Sequence, residues 1–201
     1  IQGDGKKLWE EAYGNFDLVP FSFGNTGPQM GGWFKKEIKS LEDIKGLKIR
    51  MPGIGAKVMA EAGANVVLLS GSEVYTALER GTIDATDWIS PFHDERMGLY
   101  RAAKYYYYPG WAEPQSNLEL TVNRRVWEKL PKHLQEIIRV CSQYMDIWTQ
   151  TKLEYENGPA LNRLVNKHGV QLKQLPEDVL TEFKRITKEV IEELGSKDEF
   201  S

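Results

Sequence analysis

Between Arg80 and Glu113 the chain sets acids among aromatics and turns. Arg-Gly-Thr-Ile-Asp-Ala-Thr-Asp-Trp-Ile-Ser-Pro-Phe-His-Asp leads on to Lys-Tyr-Tyr-Tyr-Tyr-Pro-Gly-Trp-Ala-Glu. Asp87 is flanked by Trp88 and Ile89, and Glu113 by Trp111 and Pro114. If both acids are interior they must be paired, protonated or on a metal, because an isolated buried carboxylate is very costly. Asp87 and Trp88 end a strand-like run from Ile83 that stops at Pro91, and strand ends that open into loops bind small molecules in open α/β sheets. A carboxylate beside an indole there offers a metal ligand and a flat apolar wall. The same acid reads equally well as a cap on the turn that follows. Gln29 and backbone carbonyls would complete an all-oxygen set, which suits calcium or sodium and not zinc. Arg50, at the exit of a second strand, offers a planar fork for a carboxylate that a lysine could not match. It also reads as a solvated strand edge, since Lys48 and Arg50 share one side of a two-residue period.

Other chemistries lack their residues. His93, His133 and His168 are scattered without metal or catalytic spacing and read as surface or capping groups. Gly53-Ile-Gly-Ala-Lys57 lacks the full glycine spacing and the Lys-Ser/Thr pair of a phosphate loop. Tyr105 to Tyr108 would present only half its rings on one face of a strand. No basic groove accompanies them, because 26 Lys plus Arg stand against 29 Asp plus Glu, a net charge of −3. That balance argues against nucleic acid and anionic membranes as partners. The single Cys141 excludes an intramolecular disulfide and reads as helix packing. No apolar run is long enough to span a bilayer, and the first residues lack the order of a signal peptide. The abrupt start at Ile1-Gln2 and the end at Ser201 suggest a mature, cleaved or truncated product.

With 201 residues and 41% hydrophobic content the chain can bury a core as one domain or two small ones. The elements that carry the candidate residues alternate. Lys6 to Tyr13 is helical. Asp17 to Gly27 is a strand containing Pro20 and closed by a Gly-rich turn that holds Asn25, with Gln29 just beyond, and Met30 to Phe34 is a short return strand. A helical turn starting at Ser40-Leu-Glu-Asp43 precedes the strand Leu47 to Met51. A helix over Ala56 to Ala62, a strand over Asn65 to Leu69, a helix capped by Ser72 and ended by Gly81, and the strand from Ile83 complete a parallel βαβαβ unit. Further on, Asn117 to Asn123 alternates as a strand. Leu134, Ile137, Ile138, Cys141, Met145 and Trp148 then recur at three and four residues along a long helix and read as core. Asn157-Gly-Pro159 interrupts that helix, Val170 to Leu175 is a strand, and a last helix starts at Pro176 with Glu177 and Asp178 at its favoured end.

Three segments carry a resemblance: Asp43-Ile-Lys-Gly-Leu-Lys-Ile-Arg-Met-Pro52, Glu73-Val-Tyr-Thr-Ala-Leu-Glu-Arg-Gly-Thr-Ile-Asp-Ala85, and Tyr106-Tyr-Tyr-Pro-Gly-Trp111. Together they resemble the DctP-type extracytoplasmic solute-binding proteins of tripartite ATP-independent periplasmic (TRAP) transporters, over essentially the whole chain. Asp87-Trp88 and Gly110-Trp-Ala-Glu113 are similar to the subgroup that binds 2-oxo acids or lactate with a metal ion. The resemblance implies a periplasmic-binding-protein-like fold, two α/β domains hinged around a cleft with a long helix across both. Residues from 1 to about 20 and from about 118 to 201 would contribute to the first domain and the connecting helices, and about 21 to 117 mainly to the second. It further implies that Arg50 holds the substrate carboxylate, with Trp88, Gln29 and Asn25 as further substrate contacts, and that Gln29, Asp87, the Trp88 carbonyl and Glu113 hold calcium or sodium. Asp87 stands where that subgroup usually has Glu, so its reach is shorter. A further N-terminal segment and a longer C-terminal helix belong to the family pattern. The implied role is periplasmic capture of a small monocarboxylate, such as pyruvate or lactate, for the membrane subunits of a transporter. No catalytic residue is implied, and a homodimer is expected of the full-length protein. The competing reading is a metal-dependent enzyme using Asp87 or Glu113 as general base.

Overall fold

A computed structural model describes residues 3–197, so the chain ends at Ile1-Gln2 and 198–201 lie outside the described residues. The chain divides into two compact units. One holds the residues up to Gly27 with Gln115–Tyr155, the other Pro28–Pro114 with the residues from Glu156 onward. The sequence reading grouped everything after about residue 118 with the first segment. In the structure the described residues from Glu156 onward group with the central segment instead. The reason is pairing and burial: a late strand joins the larger unit's sheet and the last helix covers its core.

The larger unit is built on a six-stranded mixed sheet. Its strands are β2 (Gly32–Phe34), β3 (Lys48–Arg50), β4 (Asn65–Val67), β5 (Ala85–Thr86), β6 (Tyr105–Tyr108) and β8 (Gln171–Gln174), in the order β4-β3-β5-β2-β6-β8. β3 pairs in parallel with β4 and with β5, as the strand and helix alternation predicts. The segment read as a return strand does not pair back on the strand before it. β2 lies mid-sheet, antiparallel to both β5 and β6, because Trp33 and Phe34 are wanted on the two buried faces there. Trp33 and Tyr106 enter one core with Leu78, Ile83, Leu99 and Leu164, while Phe34 and Tyr107 enter the other with Ile49, Met51, Val179 and Phe183. Alternation sends successive residues to opposite faces. Tyr106 and Tyr107 therefore serve two covered faces, while Tyr108 is exposed.

Helices α2 (Gly53–Glu61), α3 (Gly71–Arg80), α4 (Pro91–Met97) and α7 (Glu177–Gly195) belong to this unit. Helix α3 is capped by Ser70 and not Ser72: the Ser70 amide donates to the Glu73 carboxylate at 3.1 Å, and Gly81 ends the helix in the left-handed region at φ 77°. The turn Leu41–Ile44 closes the same way, with the Ser40 amide on Asp43 at 3.1 Å.

The smaller unit holds helix α1 (Gly5–Gly14), the antiparallel pair of β1 (Leu18–Asn25) and β7 (Asn117–Asn123), helix α5 (Arg124–Lys129) and the first part of helix α6 (Lys132–Asn166). Two sequence expectations for α6 fail. Pro159 lies inside the helix, which runs on through it, because Ala160 and Leu164 just beyond are fully buried and offset one missing backbone donor. The apolar stripe is not core either. Ile137 is 54% exposed and Trp148 42%, Leu134 and Cys141 are exposed, and the buried positions of that stretch are Gln135 and Ser142. Gln135 donates to the carbonyls of Trp127 at 2.9 Å and Leu130 at 3.0 Å, which ties the end of α5 to α6.

Phe183 is 2% exposed and its ring meets Trp111 at 4.2 Å. Phe183→Ala is expected to lower the unfolding free energy by about 3–5 kcal/mol, read from urea denaturation curves. A loss below about 1 kcal/mol would show that α7 covers this core without supporting it.

Candidate functional site

Arg50 and Asp87 are brought together by the parallel ladder that joins β3 to β5. Beyond the last paired strand residues, the Asp87 amide donates to the Arg50 carbonyl at 3.0 Å, and Arg50 Nη1 returns a bond to the Asp87 carbonyl at 3.2 Å. Arg50 Nε reaches the Leu69 carbonyl at 3.4 Å. Neither bond uses Nη2, so the fork retains donors for a carboxylate. The guanidinium lies 5.5 Å from the centre of the Trp88 ring. On its other contact the ring meets the first turn of α3, where a Cβ on Gly71 would stand 2.8 Å from the indole. Trp88 is thus held between a cation and a position that admits only hydrogen.

Two further loops meet the turn after β5. The Gln29 amide donates to the Pro114 carbonyl at 2.9 Å, and the Met30 amide to the Ile89 carbonyl at 3.0 Å. These bonds tie the Gln29 loop to the loops that carry Glu113 and Asp87. Gly110 permits the approach, since a Cβ there would fall 2.5 Å from the Gln29 carbonyl oxygen. Gln29 is 7% exposed and its amide oxygen is enclosed. Asp87 is buried as well, at 5%. Glu113 is exposed, so of the two acids only Asp87 meets the condition of burial. The apolar neighbour Trp111 packs on Phe183, and the chain turns outward after it.

Burial pushes the Asp87 carboxyl up to about 7, with Asp94 and Glu113 adding to the rise and Arg50 opposing it. Burial likewise pulls Arg50 below the usual range, against the pull of Asp87 and Glu113. One guanidinium therefore does not offset the desolvation and negative charge around Asp87. A hard cation would. Among the described residues no group of three or more His, Cys, Asp or Glu converges, so a cation here would rest on two carboxylates and neutral oxygens. The enclosed Gln29 oxygen, Asp87 and nearby carbonyls are hard donors and fit calcium or sodium.

Asn25, the remaining sequence candidate, belongs to the smaller unit. Its Oδ1 accepts the Gly27 amide at 2.8 Å and its own amide donates to Thr149 at 2.8 Å. It also lines a cavity of about 490 Å³ in that unit with Trp9, Phe21, Arg139 and Asp146. Sequence reading missed Asp94. It is 1% exposed, accepts from Trp33 and Tyr106, and is also pushed up to about 7 by burial. Its only local signal was an acid inside the apolar run around Ser-Pro-Phe-His-Asp.

Both carboxyls hold their protons more tightly folded than unfolded. Between the unfolded range near 4 and about 7 the folded chain therefore binds more protons, and stability falls as pH rises through that window. Urea midpoints measured in chelator should decline from about pH 4 to about pH 7, with a shallower decline for Asp87→Asn. Equal slopes for the two proteins would mean that Asp87 titrates normally.

A family model described as bacterial extracellular solute-binding protein, family 7 (DctP), matches residues 4–198. A monocarboxylate 2-oxoacid-binding periplasmic protein of Nostoc sp. is 44% identical over 197 residues, which is 98% of this chain and 54% of that protein. A TRAP periplasmic solute-binding protein from Pseudoalteromonas atlantica, solved with sodium and pyruvate, superposes with a TM-score of 0.93 at 39% identity, over 98% of this chain and 60% of that one. One from Colwellia psychrerythraea, solved with calcium and pyruvate, gives 0.93 at 40% identity with the same coverage. The chain spans 54% of the curated relative and 60% of each solved one, so it corresponds to little more than half of each.

Proposed function

Because the chain belongs to the DctP family of bacterial extracellular solute-binding proteins, we propose that it captures a small 2-oxo monocarboxylate, pyruvate being the simplest, in the periplasm. The captured acid would be handed to the membrane subunits of a TRAP transporter. The observation that carries this reading is the half-buried Arg50 fork at the end of β3, clasped to the backbone of the buried Asp87 and lying over Trp88. Arg50 holds the carboxylate, the indole forms the wall against the acid's short carbon chain, and burial strengthens the charge pairing. Asp87, Glu113, the Gln29 side-chain oxygen and the Trp88 carbonyl would hold calcium or sodium, whose positive charge neutralises the buried acid and the solute carboxylate together. The relatives solved with sodium and pyruvate or calcium and pyruvate support that pairing. In this reading no bond is made or broken, and the chain is not an enzyme.

Asp87 near pH 7 would also suit a general base. Turnover of pyruvate or lactate by the purified chain would favour that reading over capture.

Calorimetry with pyruvate tests the proposal. Saturable binding that weakens when chelator withdraws calcium is expected, by the reciprocity of linked sites. Indifference of pyruvate to calcium would remove the bridging ion. Arg50→Lys should keep the fold and weaken pyruvate by about 2–5 kcal/mol, since a bidentate contact is lost. An unchanged affinity would take Arg50 out of the site. Asp87→Asn with Glu113→Gln should abolish the calcium dependence while circular dichroism stays that of the parent. If the acids only cap turns, the double variant loses stability and its folded fraction binds as before.

A further inference from the structure

We propose that Asp94 is a positioning residue for the cation site, clamping from inside the core the Asp87–Ser90 turn that carries two of its oxygens. This rests on the cation reading of that site. Asp94 Oδ2 accepts Trp33 Nε1 from β2 at 2.7 Å and the Tyr106 hydroxyl from β6 at 2.8 Å. Its Oδ1 accepts the Ile89 amide at 3.2 Å. The carbonyl of the same residue, Ile89, receives the Met30 amide at 3.0 Å. One carboxylate thus connects two sheet strands to the turn after β5 and, through Ile89, to the loop that bears Gln29.

The donors are themselves fixed. The Trp33 and Tyr106 rings stack at 4.1 Å with 18° between their planes, and both residues are fully buried. Two donors on Oδ2 and one on Oδ1 leave the carboxyl plane no freedom to rotate, so the direction of the Ile89 amide is set by the sheet. The Trp88 carbonyl belongs to the peptide that the Ile89 amide completes. Aiming that amide at Asp94 aims the carbonyl the opposite way, because the peptide is planar and trans. Burying a charge is expensive, and well-packed apolar residues of similar volume are often no less stable than a buried polar set. The network is better accounted for by what it orients than by stability.

Asn in place of Asp has one acceptor oxygen. Whichever way its amide turns, an NH2 group faces either the Ile89 amide or the Trp33 and Tyr106 donors. Calcium alone, titrated by calorimetry, is the probe. Asp94→Asn is expected to weaken calcium by about tenfold or more, the usual consequence of losing a group that orients metal ligands. Hydrogen exchange at the Ile89 amide should quicken while the amides of α7 keep their protection. Tyr106→Phe and Trp33→Phe keep the carboxyl group of Asp94 and remove one donor each, and both should weaken calcium in the same direction. They decide the matter if Asp94→Asn does not fold. Parent-like calcium affinity in both of these variants, whatever Asp94→Asn does, would reduce Asp94 to a distant charge and overturn the proposal. So would a folded Asp94→Asn that binds calcium within about twofold of the parent. A parent chain that binds no calcium overturns the cation reading as well, which separates the two failures.

Discussion

A carboxyl group taken out of water has to be compensated, and the larger unit is arranged around two that are. Asp94 is answered from within the core by an indole, a phenol and a backbone amide. Asp87 is answered only in part. Its amide and carbonyl are clasped by Arg50, yet its carboxyl remains pushed up to about 7. Burial pushes Asp94 up to about 7 as well, so the two acids differ in what surrounds the carboxyl and not in how far it is shifted. A site that holds an anion beside a carboxylate needs added positive charge, and the residual demand of Asp87 supplies the reason for it.

The donors that surround Asp87 are placed mostly by backbone. The ladder between β3 and β5 sets Arg50 against Asp87, and two amide bonds draw the Gln29 loop against the turns at Ile89 and Pro114. Gly110 and Gly71 admit these approaches where any side chain would collide with the Gln29 carbonyl or the Trp88 ring. Backbone placed in this way does not depend on rotamers, so the loops that carry Gln29, Asp87 and Glu113 are held against one another by main-chain bonds. Helix α7 contributes at a distance, since Phe183 supports Trp111 two residues before Glu113.

The smaller unit follows another logic. A two-stranded ribbon and the first part of α6 enclose few apolar groups, chiefly Phe21, Trp127 and Leu153. The helix turns Gln135 and Ser142 inward, with Gln135 capping the end of α5, while Ile137, Val140, Ile147 and Trp148 face out. Spacing at three and four residues identifies a face. It does not say what lies against it.

Local patterns settled a good deal by themselves. Strand and helix alternation from Leu47 to Trp88 followed from periodicity and turn residues, but that β3 lies beside β5, with Arg50 next to Asp87, is set by the strand order β4-β3-β5 of the folded sheet. The family motifs were legible because each is contiguous in the chain, whereas the proposed oxygen donors at Gln29, Asp87, Trp88 and Glu113 are scattered and were named from residue type and resemblance. What tertiary structure alone decided depends on residues far apart in sequence. The mid-sheet place of β2, the exposure of Glu113 and of the α6 stripe, and the passage of that helix through Pro159 turn on which surfaces meet. Asp94 is the clearest instance, for its donors include residues as far apart as 33, 89 and 106. No local window contains them, and only the folded sheet brings them to one carboxylate.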